Sequence, residues 1–194
     1  MKLFFIILSV LSSFFATLEK QTLQSDFVVT VSAEATQPLS YTGTVTMHGE
    51  QFLLTMAQIE AAYDGKTLYM FMPKSNEMQL TEPTPEELLQ ANPLAFAKTF
   101  ADQCEVLERD KGNGQYRIVL VPHDKTKTHN IGRVELLLRQ ISDLQSPIPS
   151  YLPLSVEMRE GKQTTRLQLK NPQYITTAPV FRLDKPDAFI NDLR

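Results

Sequence analysis

The chain has 194 residues and a formal net charge of −3 at pH 7. That is long enough for one substantial core, and too poor in excess Lys and Arg for a nucleic-acid surface. Its single cysteine, Cys104, excludes an internal disulfide and a Cys-rich zinc site, and is expected to be a small buried or half-buried side chain.

At the N-terminus, Lys2 precedes the uncharged run Leu3 to Leu11, and the first acid comes only at Glu19. The run is short for a transmembrane helix and has the length of an export-signal apolar region. Residues 1–16 are therefore expected to be a removable leader, with its cleavage position open, and residues 17–194 a single domain. The competing reading is an amphipathic helix that continues through Leu18 and Leu23. No cysteine follows the apolar run, so lipid attachment to this chain is not expected.

From Phe27 to Leu80 the pattern has period two. Phe27, Val29 and Val31 share a face, as do Tyr41, Val45 and Met47, and then Phe52, Leu54 and Met56. Turns are expected at Thr36-Gln37-Pro38, His48-Gly49-Glu50 and above all Asp64-Gly65, a strong hairpin signal. At Glu82 the period changes. Thr84 as N-cap, Pro85 at the first helical position and Glu87 as the capping-box partner start a helix whose apolar stripe begins at Leu88 and Leu89. Asn92-Pro93 breaks it, and Leu94 to Phe100 reads as a second short helix. Strands return over Cys104–Arg109 and Gln115–Pro122, then in two hairpin-like units, Gly132–Arg139 with Leu154–Met158 and Thr164–Lys170 with Val180–Leu183. About a dozen strands with one helical insertion predict a mainly β (α+β) fold. The expected form is a strongly curved antiparallel sheet, or incomplete β-barrel, closed by short helices.

Catalytic chemistry is not visible in this pattern. His48, His123 and His129 lack metal-ligand spacing, and no nucleophile elbow, phosphate loop or Cys-His pair is present. The chain is expected to be no enzyme and to need neither metal nor cofactor. Five of seven methionines, Met47, Met56, Met70, Met72 and Met78, fall between positions 47 and 78. Flexible thioethers suit a surface that accepts chains of variable shape, and they serve equally well as core filler. In Leu68–Met72 both faces are apolar, with Tyr69 and Phe71 opposite the methionines, as in a strand buried on two sides.

The order of these segments resembles the LolA-like outer-membrane lipoprotein carriers. The resemblance runs through Asp26-Phe27, Gly43-Thr44-Val45, Tyr63 to Tyr69, Asn92-Pro93, Tyr116 to Pro122, Phe181-Arg182-Leu183 and the ending Ile190 to Arg194. Glu82 to Leu88 and that ending are most similar to the branch found in Bacteroidetes-type bacteria. The resemblance implies a periplasmic carrier, expected to be a monomer, that shields lipoprotein acyl chains in a hydrophobic cavity on their way to the outer membrane. It further implies acylated lipoproteins, an inner-membrane lipoprotein-releasing transporter and an outer-membrane acceptor as partners. The alternative is an acyl-chain sensor or a structural periplasmic binding module without a transport role. Candidate cavity and lid residues are Phe27, Val45, Met47, Phe52, Met56, Tyr69, Phe71, Met72, Leu88 and Phe96, the sequence leaving open which parity faces inward. Better-known carriers place an arginine before the third-strand aromatic. Here His48-Gly49-Glu50-Gln51-Phe52 offers none, so the family's mode of lid closure is not carried over.

Overall fold

The computed structural model describes residues 2–84, 87, 88, 91, 92, 94, 100–124, 131–141 and 149–194. Among them, apolar alternation generates twelve strands. The first six are β1 (Thr22–Ala33), β2 (Leu39–His48), β3 (Gln51–Met56), β4 (Glu60–Tyr63), β5 (Leu68–Met72) and β6 (Glu77–Thr81). The rest are β7 (Cys104–Gly112), β8 (Gln115–Pro122), β9 (Ile131–Ile141), β10 (Ser150–Glu160), β11 (Gln163–Ile175) and β12 (Phe189–Asp192). They form one open, curved sheet in the order β12-β6-β5-β4-β3-β2-β1-β11-β10-β9-β8-β7. Every pairing is antiparallel except that of β12 with β6, which is parallel. The mainly β, incomplete-barrel fold expected from the sequence is therefore the observed one, with one parallel edge strand added.

Local chemistry sets the turns. At the Asp64-Gly65 hairpin, Asp64 Oδ1 accepts hydrogen bonds from the amides of Lys66 (2.9 Å) and Thr67 (2.7 Å), and Gly65 takes φ +100°. Burial alone would raise the Asp64 carboxyl, but those amides and the Tyr69 hydroxyl hold it below its ordinary value. The segment Val180–Leu183, expected as a strand, is not one. The chain runs without regular structure from 177 to 185 and forms its last strand at Phe189–Asp192.

The N-terminal apolar run belongs to one helix, α1 (Lys2–Lys20). From Val10 onward its buried side chains, Val10, Leu11, Phe14, Phe15 and Leu18, join the inner-face core with Leu23, Met47, Phe52, Leu120, Val134 and Leu136. The Leu18 carbonyl also accepts a 2.7 Å bond from the Gly49 amide. The helix ends at Lys20, and Leu23 sits fully buried in β1. A leader cut at residue 16 would take Phe14 and Phe15 out of this core, whereas a cut before Val10 spares it. Among the described residues no helix is long and apolar enough to cross a membrane.

Packing sets the cost of two substitutions. Phe14 is fully buried, so Phe14→Ala should lower stability in urea unfolding by about 3–5 kcal/mol, whereas Phe189→Ala, at 72% exposure, should change it by less than about 0.5 kcal/mol. Gly43 lies under the Phe27 ring between β1 and β3, and a Cβ there would run into the Thr55 carbonyl oxygen and stand 2.8 Å from Phe27 Cζ. Backbone cannot yield cheaply. Gly43→Ala should cost about 1–3 kcal/mol in the same assay.

Candidate ligand-binding site

Strand parity divides the apolar residues between two faces. On the concave face, Phe27 and Val29 of β1 stand beside Leu169 and Leu167 of β11, their register partners. Across β2 and β3 come Val45, Met47, Leu54 and Met56, with Val45 paired to Leu54. Together with Thr165, these residues surround a cavity of about 110 Å³, closed from above by Ala91, Asn92 and Leu94. None of the described lining residues carries a charge. Such a space accepts apolar groups and offers an ion no compensation for lost hydration.

The closing segment starts as its sequence dictates. The Thr84 amide donates to Glu87 Oε2 (2.8 Å) and the Glu87 amide to Thr84 Oγ1 (3.3 Å), a reciprocal capping box. Helical bonds from Leu88 N to the Thr84 carbonyl (3.1 Å) and from Asn92 N to the Leu88 carbonyl (2.8 Å) carry the chain across the concavity. Asn92 then ends the turn. Its Oδ1 accepts from the Leu94 amide at 3.2 Å, and Leu94 drops into the core with no exposed surface. Leu88 is half-buried against the same core.

Of the ten candidate residues, Phe27, Val45, Met47 and Met56 line the cavity. Phe52 shares their face but packs deeper, its ring 6.0 Å from that of Tyr63. Met72 has the inner parity of Leu68 and Met70, yet it is half-buried at the strand end and lines no part of the cavity. Tyr69 and Phe71 point to the convex face, in a second cluster with Ala62, Met78 and Leu80. There the chain that follows β11 covers them, with Arg182 over the Tyr69 ring (5.7 Å), Lys185 over Phe71 (4.7 Å) and Lys185 paired to Glu60 at 2.9 Å. Phe96, and most of the second short helix expected over Leu94–Phe100, lie outside the described residues, as does His129.

Sequence reasoning missed the β11 wall, Thr165, Leu167 and Leu169, whose alternation within Thr164–Lys170 was the available signal. It also missed Asn92 and Leu94 as the closing residues, although the Asn92-Pro93 helix break marked their position. Elsewhere, burial pushes the Cys104 thiol up to about 11, which leaves it protonated and inert at neutral pH. Among the described residues no three His, Cys, Asp or Glu side chains gather as a metal site would require.

The sequence matches the family described as outer membrane lipoprotein carrier protein LolA over residues 24–162. Comparison with curated proteins gives no match. Among solved structures, an uncharacterised conserved protein from Thermus thermophilus superposes with a TM-score of 0.57 at 12% identity, covering 94% of this chain and 96% of that one. At that identity the likeness is one of fold. A LolA-superfamily protein from Nitrosomonas europaea gives a TM-score of 0.46 at 11% identity, with 90% and 98% of the two chains covered. The lipoprotein LppX of Mycobacterium tuberculosis gives 0.45 at 10%, with 90% and 97% covered. The family match spans well over half of the sequence, and the chain accordingly belongs to the LolA family of outer-membrane lipoprotein carriers, a family of carriers and not of enzymes.

Proposed function

We propose that this protein carries acylated lipoproteins through the periplasm by taking their acyl chains into the concave face beneath residues 88–94. The observation that carries the reading is an uncharged cavity closed by one helical turn over walls of Phe, Val, Leu and Met. The physical need is large. Each exposed CH₂ costs roughly 0.8 kcal/mol in water, so one chain of about sixteen carbons costs on the order of 12 kcal/mol. A compartment crossed by such a molecule requires a protein that removes the chain from solvent.

The cavity, of about 110 Å³, is small against such a chain. Loading therefore requires the Ala91–Leu94 plug to leave the concavity. The contacts it surrenders reduce the net affinity for the chain, which suits a carrier that must pass its cargo on. Met47 and Met56 can re-rotate around whatever replaces the plug. In this reading the donor is an inner-membrane releasing transporter, the recipient an outer-membrane acceptor, and the working form a monomer. Export removes no more of the N-terminus than the residues before Val10, because those that follow are part of the core.

Half-buried Met56 is the position for a charge test. Met56→Glu should abolish binding of a fluorescent triacylated lipopeptide while circular dichroism stays native, since an unpaired carboxylate in the cavity strongly disfavours an apolar ligand. Unchanged binding in the folded variant would show that chains do not enter here. The gate is tested separately. With Cys104 replaced by Ser, cysteines at Ala91 and Thr165, both on the cavity wall, are joined by a short bis-maleimide, and loading should fall to background in the joined protein only. Equal loading of joined and unjoined protein would place the entrance elsewhere.

A further inference from the structure

The apolar wall of the concave cavity does not stop where its cover stops. Val29 lines the cavity and stands directly opposite Tyr41, while Thr165 lines it and stands directly opposite Val31, whose partner on β2 is Leu39. Directly opposed residues share a sheet face, so Val31, Leu39 and Tyr41 continue the same row beyond the closed space. This continuation is uncovered. Leu39 is 58% and Tyr41 38% exposed, although Val45 and Met47 of the same strand are buried. Strand β3 ends at Met56, opposite Gly43, so among the described residues Leu39–Thr42 overhang it and pair with β1 alone.

The other end of these strands is shut. There Leu23 of β1 stands opposite Met47 of β2, both fully buried in one core with Leu18 of α1, and the Leu18 carbonyl accepts from the Gly49 amide at 2.7 Å. Between the two ends the Phe27 ring lies over Gly43, where the missing Cβ leaves it room, and so forms a sill. From Val45 to Leu39 the row runs about 20 Å, at about 3.4 Å per residue. An extended chain of about sixteen carbons spans a similar length, its C–C bonds of about 1.5 Å advancing roughly 1.3 Å each.

Resting on the acyl-chain reading of this cavity, we propose that the β1–β2 hairpin end is its mouth. The chain enters tail first over Val31, Leu39 and Tyr41, crosses Phe27 and stops with its tail against Val45 and Met47. Its head-proximal carbons then rest on Leu39 and Tyr41, and the protein moiety of the lipoprotein lies outside, beyond the hairpin and away from α1. Tail-first entry leaves the ester and peptide groups in water, whereas the reverse orientation would strip them of hydration against a wall of Val, Met and Phe. The open half of the row receives the tail while the plug is still seated.

Two measurements on the full chain test this. In the first, a triacylated lipopeptide carries a diazirine on one fatty chain, either beside its carbonyl or at its far end, and the photolabelled residues are mapped by mass spectrometry. The carbonyl-side probe should label Val31 and Leu39–Tyr41, and the far-end probe Phe27, Val45 and Met47. The reversed map, or a carbonyl-side probe on α1 or Gly49, would overturn the mouth and leave the acyl-chain reading standing. Labelling away from the concave face altogether would overturn both. In the second, Leu39→Glu/Tyr41→Glu should weaken binding of the fluorescent triacylated lipopeptide about tenfold or more, with native circular dichroism, because both side chains are already exposed in the empty protein. Phe189→Glu, an exposed apolar position on β12, should leave binding unchanged. Wild-type affinity in the folded double variant would overturn the proposal and assign the exposed row to a protein surface instead.

Discussion

The pairing of β1 with β11 is the contact on which the rest of this structure depends. It joins strands about 140 positions apart and unites two half-sheets, β2 to β6 with β12 on one side and β7 to β10 on the other. Without it the cavity would have no second wall, because Phe27 and Val29 face Leu169 and Leu167 only through that register. The pairing carries a bulge between Gln24 and Asp26, where the hydroxyl of buried Ser25 shares its one proton between the Asp26 and Lys170 carbonyls. A long-range antiparallel contact of this kind is costly in chain entropy and is held by burial of its inner face, where Leu23, Phe27 and Leu169 join the core.

A sheet curved this strongly has an inner face that must be filled. Helix α1 fills it toward β10 and β2, while the Ala91–Leu94 segment fills it over β1, β2, β3 and β11. The two fillings differ in kind. Among the described residues, the first presents five buried apolar side chains from Val10 to Leu18, and the second the capped turn, half-buried Leu88 and Ala91, and buried Asn92 and Leu94. The second is the one that covers the ligand cavity. The convex face has its own cover in the C-terminal crossing, whose Lys185 and Arg182 lie over aromatic rings and whose end pairs with β6.

Much of this was legible in the sequence where one face was apolar and the other polar. Alternation placed Phe27, Val29, Val45, Met47, Leu54 and Met56 on common faces, and Thr84 with Glu87 announced the capping box. Alternation failed where both faces were apolar. In Leu68–Met72, parity separates Tyr69 and Phe71 from Leu68 and Met70 but cannot say which pair faces inward, because that depends on the distant C-terminal segment covering the other side. Val180–Leu183 has strand-like composition, yet its neighbours are side chains on the sheet face and not a strand edge, so it forms no ladder. The N-terminal run shows the same limit from another direction. An export signal and a core helix share one composition, so hydropathy alone does not reveal that Phe14 is fully buried in this chain.

Amide hydrogen exchange of the protein alone, with a triacylated lipopeptide and with the same peptide deacylated tests the central claim most directly. If chains replace the plug, the amides of Asn92 and Leu94, bonded to the Leu88 carbonyl and to Asn92 Oδ1, should lose protection on adding the acylated peptide only. Amides shared between β1 and β11 should stay protected throughout. Unaltered protection at Asn92 and Leu94 in a saturated acylated complex, or the same loss with the deacylated peptide, would contradict an acyl-chain carrier gated by this segment.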